Sequence, residues 1–140
     1  MNSKLFLDTN IILDLLGERD PFYIPAAQLA TLADLKKVKM IVSPISFATV
    51  NYFLAKSEGI SNAKEKLRKF KILCEITTIN ESVVEKALNS YFEDFEDALQ
   101  YFCALDSKCD IIITRNPRDF KHSLLPIMSA EEFLKSLSKT

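Results

Sequence analysis

Polar side chains stand at the ends of two apolar segments of this 140-residue chain. They follow FLDTN near the start and DIIIT near the end, and comprise Asp8, Asn10, Thr114, Arg115, Asn116 and Asp119. In a parallel α/β sheet, ligands bind beyond the carboxyl ends of the strands. If the two segments are neighbouring central strands, these side chains lie together at one edge of the sheet. The sequence therefore predicts a polar site there.

A third acidic group lies in the helical segment DFEDALQYF, where Asp94, Asp97 and Tyr101 share one face. That spacing points Asp97 partly inward. A carboxylate facing an apolar interior is costly without a positive or hydrogen-bonding partner, and several carboxylates together repel one another. A divalent cation relieves both problems. Oxygen ligands without cysteine or histidine suit Mg²⁺ or Mn²⁺, so we predict a shared cation site.

Each of these groups also has a plainer interpretation. Asp8 and Asn10 could cap the helix that follows them, by accepting hydrogen bonds from its free N–H groups. Asp94 and Asp97 could be a cap and a first-turn acid that complements a helix dipole. RNPRDF could be only a turn, because Asn, Pro and Asp are turn formers. The joint appearance of all three groups at predicted strand ends favours the shared site.

Strands and helices alternate along the chain, and this order would position the acids. Strands are predicted over residues 4–9, 40–43, 72–79, 110–114 and, as a short edge strand, 126–128. Helices are predicted over residues 10–16, 22–37, 45–56 and 61–71, then over 90–105 as one helix or two interrupted near FEDFED. The pattern predicts one domain, residues 1–140, with a three-layer α/β/α architecture and a mostly parallel central sheet.

Three local features refine this prediction. Ser82 with Glu85, and Ser129 with Glu132, have the spacing of capping boxes at helix starts. The helix over residues 45–56 is apolar nearly all round, so we expect it to be covered on both sides. A second subunit could supply part of that cover, which makes a homodimer an expectation.

Composition excludes several classes of protein. No apolar run approaches the roughly 18 residues of a membrane span, and Asp8 and Asp14 interrupt the N-terminal apolar stretch. We therefore expect a cytoplasmic protein with no membrane partner. The three cysteines lack CxxC spacing and are predicted to be reduced, packed thiols. No Ser/His/Asp or Cys/His set is evident, since the only histidine, His122, lies in a polar turn.

The net charge of −1 argues against wholesale electrostatic wrapping of nucleic acid. Two local basic clusters remain. The first comprises Lys64, Lys66, Arg68, Lys69 and Lys71. The second comprises Arg115, Arg118, Lys121 and His122. Either cluster could contact nucleic acid or be only a solvated face.

Two segments carry a resemblance to a known family. FLDTNIILDLL, DALQYFCALDSKCDIIITRNPRDF and the βα order between them resemble the PIN domain, most closely the VapC-type ribonucleases of bacterial toxin–antitoxin pairs. The resemblance implies a compact nuclease whose acids hold Mg²⁺ or Mn²⁺ and which cuts single-stranded RNA or exposed RNA loops. It also implies a small antitoxin protein that covers the acidic edge.

The resemblance assigns roles to individual residues. Asp8 matches the acid of the first strand and Asp97 the acid of the DAL helix, with Asp94 one turn away as a further metal ligand. Asn116 matches the acid or amide after the fourth strand, and Asp119 follows closely. Asn10 and Thr114 match supporting polar residues. The residues expected to position the RNA backbone are Arg115, Arg118 and Lys121.

One position departs from the family pattern. The family usually has a glutamate on the helix after the second strand, where this chain offers Thr49 or Asn51. Losing a carboxylate should weaken cation binding, although Asp94 or Glu96 could replace it. A second interpretation is therefore a catalytically impaired PIN-like module that binds RNA or protein. A third, a phosphatase-like domain, is disfavoured because Asn10 stands where such enzymes commonly have a second aspartate.

Overall fold

A five-stranded parallel sheet forms the centre of the computed structural model, which describes residues 2–138. The strands are β1 (Ser3–Leu7), β2 (Val38–Val42), β3 (Cys74–Ile76), β4 (Ile111–Ile113) and β5 (Ile127–Met128). Their order across the sheet is β3-β2-β1-β4-β5, and every neighbouring pair is parallel. The predicted third strand, 72–79, is thus shortened to three residues.

Helices cover both faces of this sheet. They are α1 (Thr9–Leu16), α2 (Tyr23–Asp34), α3 (Pro44–Glu58), α4 (Ile60–Ile72), α5 (Glu81–Leu88), α6 (Phe95–Asp106) and α7 (Ala130–Leu137), with a 3₁₀ turn at Pro117–Phe120. Successive strand residues point to opposite faces. Accordingly, Leu5 and Leu7 pack in a core with α1 to α4 and α7, whereas Phe6 packs in a second core with α5, α6 and the 3₁₀ turn. The predicted α/β/α fold is confirmed.

The strand order changes direction between β1 and β4. From β1 the chain moves outward through β2 to β3, and then returns to the other side of β1 for β4 and β5. The pair is in register from Leu5 opposite Ile111 to Leu7 opposite Ile113, and the Asp8 N–H continues it by donating to the Ile113 carbonyl at 3.0 Å. Such a switch point opens a crevice beyond the strand ends, which is where ligands bind in open α/β sheets.

The predicted capping box at Ser82 and Glu85 is wrong. Helix α5 begins two residues earlier than that box implies, and its N-cap is Asn80, whose Oδ1 accepts from the Val83 N–H at 3.0 Å. Ser82 therefore lies inside the first turn. Several polar residues in a row offered possible caps, and spacing alone did not distinguish them.

Side-chain caps also set the starts of α6 and α7. The helix predicted from residue 90 begins at Phe95, because Asp94 caps it by accepting from the Asp97 N–H at 3.0 Å. The capping box at Ser129 and Glu132 is confirmed, since each side chain accepts from the other residue's backbone N–H, at 3.0 and 2.9 Å.

Within the chain, helix α3 is covered on one side only, and the expectation that a second subunit covers the rest stays a prediction. Its buried residues are Ser46, Val50 and Leu54, which lie four residues apart on one face. Outside that face Tyr52 is 57% exposed and Phe53 is 50% exposed. The helix carries more apolar residues than the face turned to the sheet can bury.

The cysteines behave as predicted, because all three are free, with Cys103 and Cys109 buried and Cys74 half-buried. Burial raises the pKa of the Cys109 thiol to about 12, which keeps it protonated. No helix between residues 2 and 138 has both the length and the apolar character required to cross a membrane.

Candidate functional site

Asp8 lies at the centre of the crevice and is only 6% exposed. It follows β1 directly and caps α1, because its Oδ1 accepts from the Thr9 N–H at 2.9 Å. Its Oδ2 accepts from the Thr114 hydroxyl at 2.8 Å, which joins the ends of β1 and β4. Burial raises the pKa of Asp8 and these hydrogen bonds oppose the shift. The capping interpretation is therefore correct without excluding a functional role.

Asp97 faces the same crevice from the first turn of α6. Burial raises its pKa to about 7, and the negative charges of Asp94, Asp119, Asp8 and Glu96 act in the same direction. Burial, Asp94 and Asp8 likewise raise the pKa of Glu96. Carboxylates from three separate segments thus share one electrostatic environment, in which each ionised group makes the next harder to ionise.

These acids line one open cavity of about 360 Å³, here called the acid pocket. Five of its lining residues are acidic: Asp8, Asp94, Glu96, Asp97 and Asp119. Its remaining walls come from Thr9, Asn10, Leu13, Thr49, Phe53 and Gln100. Among residues 2–138, no lysine, arginine or histidine lines the pocket. Five carboxylates therefore face one volume of solvent, and this part of the chain supplies no counter-charge in its walls.

The donor set of the acid pocket fits Mg²⁺ or Mn²⁺. It offers only carboxylate, amide and hydroxyl oxygens, which suit hard cations. Among residues 2–138 no three acidic, cysteine or histidine side chains converge closely enough to form a complete metal cluster. Mg²⁺ does not require one, since it usually keeps several waters and takes only one or two protein carboxylates. The loose ring of acids is therefore compatible with a hydrated cation.

The structure brings most of the predicted residues together, but not Asn116. That residue is exposed and is absent from the pocket walls. Its backbone N–H donates to the Thr114 hydroxyl at 3.0 Å, and so helps to position the hydroxyl that donates to Asp8. Asp119 lines the pocket in its place. Thr49 also lines the pocket, close to the acids Asp94 and Glu96 that were considered as replacements for the expected glutamate.

A buried polar network beneath the pocket was missed by sequence reasoning. Gln100, which is 1% exposed, donates through Nε2 to Ser46 Oγ at 2.9 Å and to Thr9 Oγ1 at 3.3 Å. The Ser43 hydroxyl donates to its Oε1. The network ties α6 to the starts of α1 and α3, and so fixes the helix of Asp97 relative to Asp8. The only signal in the sequence was one amide among the apolar residues of α6.

Arg115, predicted to contact RNA, is engaged inside the protein. Its Nε and Nη2 donate to the two carboxylate oxygens of Asp14 at 2.8 and 3.2 Å, and its guanidinium lies 4.0 Å from the Phe22 ring centroid. Asp14 is 1% exposed and has a second partner in Arg19 at 3.5 Å. The other predicted RNA contacts, Arg118 and Lys121, are exposed and line a neighbouring cavity.

Comparisons with known proteins agree with this geometry. The family model of the PIN domain matches residues 4–118. The ribonuclease VapC1 of Aquifex aeolicus (strain VF5) is 30% identical over 142 residues, an alignment that covers 95% of each chain.

Two solved structures share the fold. A toxin–antitoxin complex from Klebsiella pneumoniae contains a chain with a TM-score of 0.67 and 23% identity, covering 91% of this chain and 98% of that one. VapC20 of Mycobacterium tuberculosis, a toxin that cleaves the sarcin–ricin loop, has a TM-score of 0.62 and 16% identity, covering 77% and 86%. Because the family model matches most of its length, the chain belongs to the PIN domain family.

Proposed function

We propose that this chain is a metal-dependent endoribonuclease of the cytoplasm, the toxin of a type II toxin–antitoxin pair, and that it hydrolyses RNA phosphodiester bonds at the acid pocket. The observation that carries the proposal is the set of five carboxylates around one cavity, to whose walls residues 2–138 contribute no basic side chain. A relative named as a ribonuclease supports the reaction, and the PIN family match supports the site.

Asp8, Asp94 and Asp97 would hold Mg²⁺ or Mn²⁺, with Asp119 in the place first assigned to Asn116. A bound divalent cation supplies Lewis acidity toward the phosphodiester and activates water as the nucleophile. The side chains themselves do the positioning. The Thr114 hydroxyl orients the Asp8 carboxylate through its 2.8 Å hydrogen bond, and the Asp94 cap fixes the first turn of α6 and with it Asp97.

Cleavage of RNA by the purified chain tests this proposal. We expect degradation with Mg²⁺ or Mn²⁺, inhibition by chelator, and loss of activity in Asp8→Asn and Asp97→Asn. Removing a direct metal ligand should lower cleavage activity by more than the roughly 10- to 100-fold loss expected for an outer-shell partner. Asp34→Asn, at the exposed end of α2, is the matched control. Activity that survives chelator or both site substitutions would contradict the proposal.

A second candidate function rests on Thr49. Because a threonine lines the pocket where the family usually has a glutamate, the chain could be a PIN-like module that binds RNA or protein without cutting. Retained RNA binding with no Mn²⁺ affinity and no cleavage would favour the module. Cleavage that depends on Asp8 and Asp97 would exclude it.

We also propose two protein partners. The Klebsiella structure is described as a toxin–antitoxin complex, which supports an antitoxin for this chain. The negative acid pocket suits an antitoxin segment that carries basic side chains. A homodimer through α3 would bury Tyr52 and Phe53. Light scattering of the isolated chain tests the dimer: we expect two copies for the wild type and one for Phe53→Ser, and a monomeric wild type would contradict it.

A further inference from the structure

A second cavity opens beside the acid pocket. Its volume is about 300 Å³, and Asp94, Asp97 and Asp119 line both cavities. The two spaces are therefore separated by carboxylates and not by the protein core. A chain-like ligand with one phosphodiester in the acid pocket would continue directly into the second cavity, here called the side cavity.

Two cations at the edge of the side cavity are available to a ligand. Arg118 makes no ion pair with any residue between 2 and 138. Within the described part of the chain, Lys121 pairs only with Glu93 at 3.5 Å, and the two side chains are 59% and 87% exposed. Exposed pairs of this kind contribute little free energy, so a phosphate can replace the carboxylate. Arg115, in contrast, is held by the buried Asp14.

Aromatic rings form another wall of the side cavity. The exposed His122 ring lies 5.9 Å from the Phe92 ring centroid at an interplanar angle of 68°. Tyr91, which is 88% exposed, lies 6.4 Å from His122 on the outside of the same group. Unpaired nucleobases stack on aromatic and histidine rings, and this stacking tolerates many sequences because every base has a π face.

We propose that the side cavity binds the nucleotide adjacent to the scissile phosphodiester of single-stranded RNA, with its base against His122 and its phosphate at Arg118 and Lys121. The inference rests on the proposed ribonuclease function. A basic peptide would also be attracted by the shared carboxylates. Arg118 and Lys121 would repel it, and the ring wall gives a base a surface to stack on, so the cavity suits a nucleotide better.

The fold also separates the two basic clusters of the sequence. The cluster on α4 belongs to the side of the sheet where Phe70 packs with Leu5, whereas the 3₁₀ turn belongs to the side where Phe120 packs with Phe6. Of the two clusters, only the one around the 3₁₀ turn borders cavities that contain the shared acids. RNA held in the side cavity should therefore be insensitive to charge removal on α4.

Binding of a short single-stranded RNA tests the proposal by fluorescence anisotropy with Mn²⁺ present. In this experiment the wild-type reference and every variant also carry Asp8→Asn, which should prevent cleavage of the RNA and lies outside the side cavity. We expect His122→Ala to weaken binding on the order of tenfold, since it removes one stacking surface. Lys121→Ala should reduce the slope of log affinity against log salt by about 1. Lys71→Ala, an exposed lysine of α4, is the control and should bind as the wild type does.

The outcomes separate this proposal from the ribonuclease function. If Asp8 and Asp97 are needed for cleavage but His122→Ala and Lys121→Ala bind RNA normally, the side cavity is not the nucleotide site although the nuclease stands. If the two variants lose affinity but the wild type never cleaves, the nucleotide site stands without the nuclease. An equal loss of RNA affinity in Lys71→Ala would overturn the site. So would an arginine-rich peptide that occupies the side cavity while the RNA remains bound.

Discussion

Asp8 and Asp14 begin and nearly end the same short helical segment, and the protein treats their charges in opposite ways. Both are buried, with exposures of 6% and 1%. Asp14 forms a bidentate ion pair with the guanidinium of Arg115 and a second ion pair with Arg19. Asp8 receives a hydroxyl and a backbone N–H, and faces other carboxylates across the acid pocket. A buried charge with a counter-charge is compensated within the fold, whereas a buried charge among like charges has no such internal compensation.

The difference is large in physical terms. Burying an ionised carboxylate costs several kcal/mol, and only a matched cation with good geometry offsets it. At Asp14 the counter-charge comes from within the chain. At the acid pocket no cation from residues 2–138 lines the walls. Burial and neighbouring carboxylates raise the pKa values of Asp8, Glu96 and Asp97, and the charge of Arg115 only partly opposes this at Asp8. Replacing residues on each side of this contrast gives four predictions, from the largest effect to the smallest.

Removing the partner of Asp14 should have the largest effect. Arg115→Met leaves a buried carboxylate with only the half-exposed Arg19, and should lower the free energy of unfolding by about 3 kcal/mol or more. Arg118→Met, three residues later on the surface, is the control and should change it by less than about 0.5 kcal/mol. Chemical denaturation measures both. Similar small effects for the two variants would remove the distinction between Asp14 and Asp8.

Removing the hydroxyl that orients Asp8 should affect the cation site more than the fold. Thr114→Val keeps the buried shape but deletes the 2.8 Å hydrogen bond to Oδ2. We expect Mn²⁺ affinity to fall about 10- to 100-fold, as for other outer-shell partners. Thr78→Val, at an exposed position, is the matched control. Unchanged Mn²⁺ affinity in calorimetric titration would show that Asp8 needs no such orientation.

Neutralising Asp97 should stabilise the metal-free protein. Its folded pKa of about 7 lies above the ordinary value of 3.8, so the folded state loses stability as the pH rises from about 4 through 7. Asp97→Asn cannot ionise, and its gain should therefore be complete above pH 7 and absent below about pH 4. After allowance for solvent screening, the gain is on the order of 1 kcal/mol, or about 3 °C in Tm.

Thermal unfolding in chelator at pH 4 and pH 8 measures this gain. Asp34→Asn, at an exposed position of α2, is the matched control. A destabilised Asp97→Asn at pH 8 would mean that the carboxylate has an internal partner, as Asp14 does.

Adding a carboxylate at Thr49 should give the smallest effect. Thr49→Glu places an acid on the pocket wall contributed by α3 and should raise Mn²⁺ affinity by less than about tenfold, because Asp94 and Glu96 already supply negative charge. Thr49→Gln, with the same length and no charge, is the control. A gain of several orders of magnitude would mean that Asp94 and Glu96 do not replace the missing glutamate.

The residues that sequence reasoning placed correctly share a simple cause. Asp8 and Thr114 directly follow apolar strands, and parallel strands bring such positions to one edge of the sheet. Asp97 followed from helical spacing. Strand direction and helical spacing can be inferred from the sequence, so these three positions could be predicted without knowledge of tertiary contacts.

The contacts that sequence reasoning missed join distant segments of the chain. Arg115 was assigned to RNA because nothing in the sequence shows that Asp14, 101 positions away, is its partner. Gln100 is one amide in an apolar helix until Ser43, Ser46 and Thr9 surround it. Asn116 and Asp119 both follow β4, and the 3₁₀ turn, which Asn116 precedes and which contains Asp119, decides which one reaches the pocket.

Calorimetric titration of Mn²⁺ into the metal-free wild type and the Asp8→Asn/Asp97→Asn double variant tests most directly whether the acid pocket exists to hold a divalent cation. We predict binding to the wild type with release of protons near pH 7, because the cation favours the ionised form of Asp97, and no measurable binding to the double variant. Equal Mn²⁺ binding by both proteins, or none by the wild type, would contradict it.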